Sequence, residues 1–174
     1  MTARKIFLFL LAFTIVVGAT GLGWNSVFAA RLAGKTITQK ITAQAREDVF
    51  LGRSGVFLPS SAYSGELSLT RIEPKSTRVG GLRFTEPFIE IKLTTGSKSE
   101  VKKVTGVVYV YFKLLSWERR LWDEDNLSIY QLDTQTGKWV ACPTLKLVAG
   151  KNSPHGRLAC VMTEFGTFAM ATIE

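Results

Sequence analysis

The chain has 174 residues, 46% of them hydrophobic, and carries a formal net charge of +8 at pH 7. A chain of this length builds one hydrophobic core and leaves little for a second domain. Its positive surplus favours anionic partners and raises encounter rates, but it does not specify a fold.

The N-terminal segment has the pattern of an export signal. Arg4 and Lys5 precede an apolar run over residues 6–17, and the segment ends in Val27-Phe28-Ala29. This order predicts a signal peptide over residues 1–29, cleaved after Ala29. The alternative is an uncleaved anchor, because residues 6–24 are marginally long enough to span a bilayer of about 30 Å.

Cleavage after Ala29 would leave 145 residues. It would also remove two positive charges and no negative ones, so the net charge would fall from +8 to +6. We therefore expect a secreted, periplasmic or cell-surface protein, which meets the membrane only if the signal stays uncleaved. Export also disfavours nucleic acid as a partner and leaves proteins or cell-surface polymers, including anionic ones, as the expected partners.

Residues 30–48 are an extended leader or a first edge strand, and their apolar content is too low to decide between the two. A β-sandwich domain over residues 49–174 is expected to follow. Within it, residues 66–72 alternate between apolar and polar side chains until Pro74. Residues 88–94 alternate more regularly, which is typical of a strand with one buried face.

The run over residues 106–115 has apolar side chains at both odd and even positions. Its β-branched and aromatic content favours a strand over a helix, so we expect the central strand of the core here. Residues 116–125 are the one stretch with helical character, as a short helical turn or a long loop. Trp117, Leu121 and Trp122 are its expected anchors.

Residues 126–133 and 138–142 are predicted to form a hairpin, in which Gly137 supplies the positive φ that a tight turn needs. Strand patterns continue over residues 145–148, 157–162 and 167–172. About eight to ten short strands with almost no helical periodicity indicate an all-β fold, an antiparallel β-sandwich of immunoglobulin-like type. A closed barrel is the alternative, because the sequence does not report strand pairing.

Several segments also resemble known β-sandwich families. Ser54-Gly-Val-Phe-Leu-Pro59 followed by Gly65-Glu-Leu-Ser-Leu69 resembles the opening of ZU5-like domains. Residues 127–133, Thr136-Gly-Lys-Trp139 and Phe165-Gly-Thr-Phe-Ala169 are similar to sandwich modules of secreted and surface-attached bacterial proteins. The resemblance covers residues 50–172 and implies an extracellular ZU5-like sandwich for protein interaction or surface display, with no catalytic residues to carry over.

Both cysteines and the single histidine fall within one stretch, Cys142 to Cys160 with His155 between them. Structural zinc normally takes four ligands and compact cysteine pairs, so C-x12-H-x4-C predicts no metal site. A Cys-His nucleophile is disfavoured, because both cysteines fall in strands, and no G-x-S-x-G motif is present. In an exported protein the two cysteines are expected to form a disulfide between strands that lie side by side.

The possible binding residues are Trp117, Arg119, Arg120 and Trp122, whose rings and cations suit a glycan or an anionic polymer. The leading hypothesis is a non-catalytic, secreted or envelope-associated module for protein or cell-surface interaction, with no catalytic residue and no cofactor. A glycan- or anionic-polymer-binding module is the first alternative. An extracellular hydrolase with an unrecognised site is the second.

Overall fold

A computed structural model describes residues 34–147, 150 and 153–174. The predicted export signal, residues 1–29, lies outside the described residues. Among the residues that are described, none belongs to a helix with the length and apolar character needed to span a membrane.

The described residues form fourteen strands and one helix. In chain order these are β1 (Thr36–Ile41), β2 (Glu47–Leu51), β3 (Ser54–Leu58), β4 (Gly65–Ile72), β5 (Arg78–Val79), β6 (Leu82–Phe84), β7 (Phe88–Thr95), β8 (Glu100–Val101), β9 (Tyr109–Lys113), α1 (Ser116–Asp123), β10 (Ser128–Asp133), β11 (Lys138–Cys142), β12 (Thr144–Leu147), β13 (Arg157–Val161) and β14 (Thr167–Ile173).

The strands form two antiparallel sheets, which confirms the predicted all-β sandwich. The nine-stranded sheet has the order β1-β4-β7-β14-β10-β11, with β6 and β8 paired to β14 and β7, and β5 paired to β6. The five-stranded sheet has the order β12-β13-β9-β3-β2. Strand β9, from the run predicted to be central, is the middle strand of this second sheet.

Alternation along the strands explains the core. In β7, Ile89, Ile91 and Leu93 are buried while Glu90 and Lys92 are more exposed, as their spacing predicted. In the five-stranded sheet the buried positions are supplied by β3, β9 and β13, with residues such as Val56, Leu58, Val110, Phe112 and Leu158. One face of each sheet therefore builds the core.

The predicted hairpin is present as β10 and β11, with Asp133 opposite Lys138. Gly137 has φ +67° and its N–H donates to the Asp133 carbonyl at 2.8 Å, so the glycine closes the turn as expected. Strand β1 pairs along its length with β4 at the edge of the nine-stranded sheet. Residues 116–123, for which the sequence allowed either a helical turn or a loop, form the helix α1.

The two cysteines lie at disulfide distance, with their Cα atoms 6.0 Å apart. Cys142 ends β11 of the nine-stranded sheet and Cys160 lies in β13 of the five-stranded sheet. The expectation that they occupy side-by-side strands was therefore wrong. The chain changes sheets at Pro143, so the strand that lies beside Cys160 is β12, where Thr144 is its partner. The cysteine pair joins the two layers of the sandwich.

Candidate functional site

The outward face of the five-stranded sheet is built by the side chains that alternate with the core. In β9, Val110 and Phe112 point into the core, so Tyr109 and Tyr111 point to the other face, where the Tyr111 ring is itself buried beneath the Arg157 guanidinium. Phe57 lies opposite Tyr109, and Gly55 lies opposite Tyr111. We call this surface the cation–aromatic face; it consists of Arg46, Asp48, Phe50, Phe57, Tyr109, Tyr111, Lys113, Leu145, Leu147 and Arg157.

Tyr111 is fixed in place by a close approach to Gly55. A Cβ atom on that glycine would lie 2.8 Å from Cε1 of Tyr111, so only glycine leaves room for the ring. The phenol O–H donates to Oδ1 of Asp48 at 2.7 Å. Burial, together with this hydrogen bond, raises the pKa of Tyr111, so the phenol keeps its proton and its role as a donor beyond the ordinary alkaline limit of a tyrosine.

Three cations lie over the aromatic rings of this face. The Arg46 guanidinium is 5.1 Å from the Phe57 ring centroid, and the Lys113 ammonium is 4.9 Å from that of Phe50. The Arg157 guanidinium is 4.7 Å from the Tyr111 centroid. Because a guanidinium stacked on a ring keeps its N–H groups in its own plane, these arginines can still bind a carboxylate or phosphate.

Aliphatic side chains continue the face beside the aromatic rings. Leu145 and Leu147 of β12 are 48% and 39% exposed, and Phe50 of β2 is 56% exposed. A depression of about 400 Å³ lies among the two leucines, Phe57, Tyr109 and the arginines. Exposed apolar groups in contact with charged ones are typical of a surface that a partner covers.

The four residues predicted to bind lie on α1, on two sides of the helix. Trp117 is 43% exposed and lines a separate depression of about 510 Å³, while Trp122 is half-buried. Five helical residues separate their side chains by about 140°, so the two rings do not form one platform. Arg120 is exposed, whereas Arg119 pairs with Asp123 at 2.8 Å.

The fully buried side chain of helix α1 is that of Glu118, which belongs to an ion network. Glu118 is fully buried and accepts from Nη1 of Arg53 at 2.5 Å and from the Leu115 N–H at 2.7 Å. Arg53 also pairs with Glu86, which lies 3.7 Å from Arg71. A carboxylate therefore anchors the helix. Its burial is tolerated because its charge is matched by an arginine of the β2–β3 turn.

The two cysteines of the stretch pair with each other in the described part of the chain. At disulfide distance, Cys142 and Cys160 are not free thiolates, which metal binding and nucleophilic attack both require. His155 is half-buried, and its backbone carbonyl accepts from Arg119 at 3.5 Å.

The cation–aromatic face was missed by the sequence reasoning for a definable reason. Tyr109 and Tyr111 fall within the apolar run over residues 106–115, which was assigned to the core as a whole. Their hydroxyl groups could have distinguished the two tyrosines from the core residues, because Tyr109 and Tyr111 alternate with the entirely apolar Val110 and Phe112. Arg46 and Arg157 are too far away in sequence to have been associated with them.

Over residues 34–147, 150 and 153–174, no group of three or more His, Cys, Asp or Glu side chains is arranged to hold a metal ion. Comparison with protein-family models and with curated proteins gives no match to the chain. The case for a function consequently depends on the geometry of the cation–aromatic face and of the helix.

Proposed function

We propose that this chain is an exported, non-catalytic β-sandwich module, of the ZU5-like kind, that binds another protein at the cell surface or in the envelope. The observation that supports the proposal is the cation–aromatic face. It offers rings, exposed aliphatic side chains and arginines on one rigid sheet, and these residue types dominate the centres of protein–protein interfaces.

The arrangement of the cations favours a protein over a neutral glycan. Sugars bind to proteins by stacking on open ring faces, yet the rings of Phe50, Phe57 and Tyr111 each carry a cation within about 5 Å of their centroid. A protein segment can use the exposed Leu145 and Leu147 without displacing those cations. An anionic surface polymer is the second candidate, because the three cations outnumber the single carboxylate of the face, Asp48.

Site-specific photo-cross-linking in intact cells of the source organism tests the proposal. A benzoylphenylalanine at position 145 or position 50 should give discrete cross-linked bands in which mass spectrometry finds peptides of a second protein. The matched control is the same group at Thr38, which is exposed on the outward face of the nine-stranded sheet opposite Ser68. It should give none.

Two results would contradict this function. Equal cross-linking from positions 145 and 38 would show that the cation–aromatic face has no special role. A cross-linked product that a polysaccharide-degrading enzyme shortens would favour the polymer over the protein.

A further inference from the structure

We infer that the segment bound at the cation–aromatic face is acidic and apolar, with aliphatic or aromatic side chains next to carboxylates. The inference rests on the proposed function and names the chemistry of its partner. It follows from two properties of the same depression, one apolar and one charged.

The apolar property comes from β3, β9 and β12. Phe57, Tyr109, Leu145 and Leu147 line a depression of about 400 Å³. This volume is near the lower end of the range of about 300–1,000 Å³ for pockets that bind small ligands, which suits one or two side chains of a peptide. Both leucines are more than one-third exposed, so covering them with an apolar side chain would remove apolar area from water.

The charged property comes from Arg46 and Arg157, which line the same depression. Nε of Arg157 donates to Ser153 at 3.1 Å, whereas its Nη1 is 3.9 Å from Asp48, beyond hydrogen-bond distance. Asp48 already accepts the Tyr111 O–H.

Among the described residues, donors remain available on both arginines. In that part of the chain the Arg46 guanidinium lies over the Phe57 ring, and the hydrogen bond that the Arg157 side chain donates comes from Nε, which leaves Nη1 and Nη2. Both guanidinium groups are held by aromatic rings, so little conformational entropy is lost when they bind a carboxylate through two N–H groups.

Charge complementarity determines the choice of partner. Three cations and one carboxylate give the face a positive surplus, so a basic or neutral segment would leave the arginines without partners. A polyanion without apolar groups would satisfy the arginines but would leave the two leucines exposed to water. An acidic and apolar segment matches both properties.

The test uses a random-peptide phage library, panned on the immobilised full chain. Enriched peptides should carry Asp or Glu within a few residues of Leu, Ile, Phe or Trp. The affinity of a synthetic enriched peptide, measured by fluorescence anisotropy, should fall about tenfold in Arg46→Gln and again in Leu145→Ser, since loss of one such contact costs about 1.4 kcal/mol.

Arg83→Gln is the matched control, because Arg83 is an exposed arginine on β6, which belongs to the nine-stranded sheet and not to the sheet that carries the face. Its peptide affinity should equal that of the unmodified chain. Arg46 and Leu145 are themselves exposed, so both variants are expected to fold, and their circular dichroism spectra should match that of the unmodified chain. Raising the salt concentration should weaken peptide binding, because the arginine–carboxylate pairs are partly solvated.

Several results would overturn the inference. Enrichment of neutral or basic peptides, or peptide binding unchanged in Arg46→Gln, would contradict it. Binding of heparin, a polyanion without apolar groups, with no loss in Leu145→Ser would favour a polymer. Self-association of the chain that Leu145→Ser abolishes would favour a second copy. Cross-linking from position 145 to a protein, together with enrichment of neutral or basic peptides, would overturn this inference and leave the proposed function standing, whereas failure of the cross-linking would remove the function itself.

Discussion

Helix α1 and the cation–aromatic face contain similar residue types but use their charges differently. In α1, Glu118 pairs with Arg53, and Asp123 pairs with both Arg119 and Lys146. On the face, Arg46 and Arg157 lie over aromatic rings, and Nη1 of Arg157 approaches Asp48 only to 3.9 Å. Charges neutralised within the fold stabilise it, whereas charges left with free donors remain available to a partner.

The largest expected effect concerns the buried carboxylate of the helix. Glu118→Ala should lower the free energy of unfolding by about 3–5 kcal/mol, because it leaves the Arg53 guanidinium partly buried with one partner fewer. Urea denaturation followed by circular dichroism measures the change. Glu124→Ala is the control, since Glu124 is exposed at the end of the same helix, and its effect should stay within about 0.5 kcal/mol. Equal effects of the two changes would show that the network does not hold the helix.

A smaller loss is expected on the cation–aromatic face itself. Gly55→Ala should cost about 1–3 kcal/mol, because the new methyl group meets the Tyr111 ring and the ring must move. Gly96→Ala is the matched control, since a Cβ atom there has no other atom within 4 Å. If Gly55→Ala were as stable as the control, the ring would not be fixed by the glycine, and the face would be less rigid than described.

The smallest of these effects is that of the Tyr111 hydroxyl. Tyr111→Phe removes the hydrogen bond to Asp48 and should cost about 1 kcal/mol at neutral pH. The pKa of Tyr111 is raised in the folded chain, mainly by burial, above its ordinary value of 10.0. The unfolded chain therefore loses this proton first, and the contribution of Tyr111 to stability falls as pH rises above about 10.

Absorbance of tyrosinate at alkaline pH checks this assignment. Tyr111→Phe should remove a step that lies above the ordinary tyrosine range from the titration of the folded chain. A titration in which Tyr111→Phe removes only an ordinary step near pH 10 would weaken the description of Tyr111 as a buried donor.

Local patterns were enough to predict much of the fold. The alternation in β7 predicted which side chains are buried, and the Asp133 to Gly137 turn predicted the β10–β11 hairpin. The pairing of Cys142 with Cys160 needed only their number and the expected export. The strand and the hairpin depend on residues near one another in sequence, where spacing alone fixes direction.

The candidate site was less accessible to such reasoning. Trp117 and Trp122 were chosen for their chemical types, but the helical geometry directs them to different sides of α1. The cation–aromatic face instead gathers Arg46, Tyr111 and Arg157 from separate strands of one sheet. Strand order joins these residues, and a single sequence does not report strand order.

The sequence by itself therefore determined the class of the fold, the strand periodicity, the best hairpin and the one possible cysteine pair. The tertiary structure alone decided that Pro143 separates two sheets, so that the cysteines join the layers, and that Glu118 is a buried anchor. It also decided that Tyr109 and Tyr111 face outward with the arginines. The physical reason is that periodicity fixes which side chains share a face, whereas long-range pairing fixes which faces meet and which remain in contact with solvent.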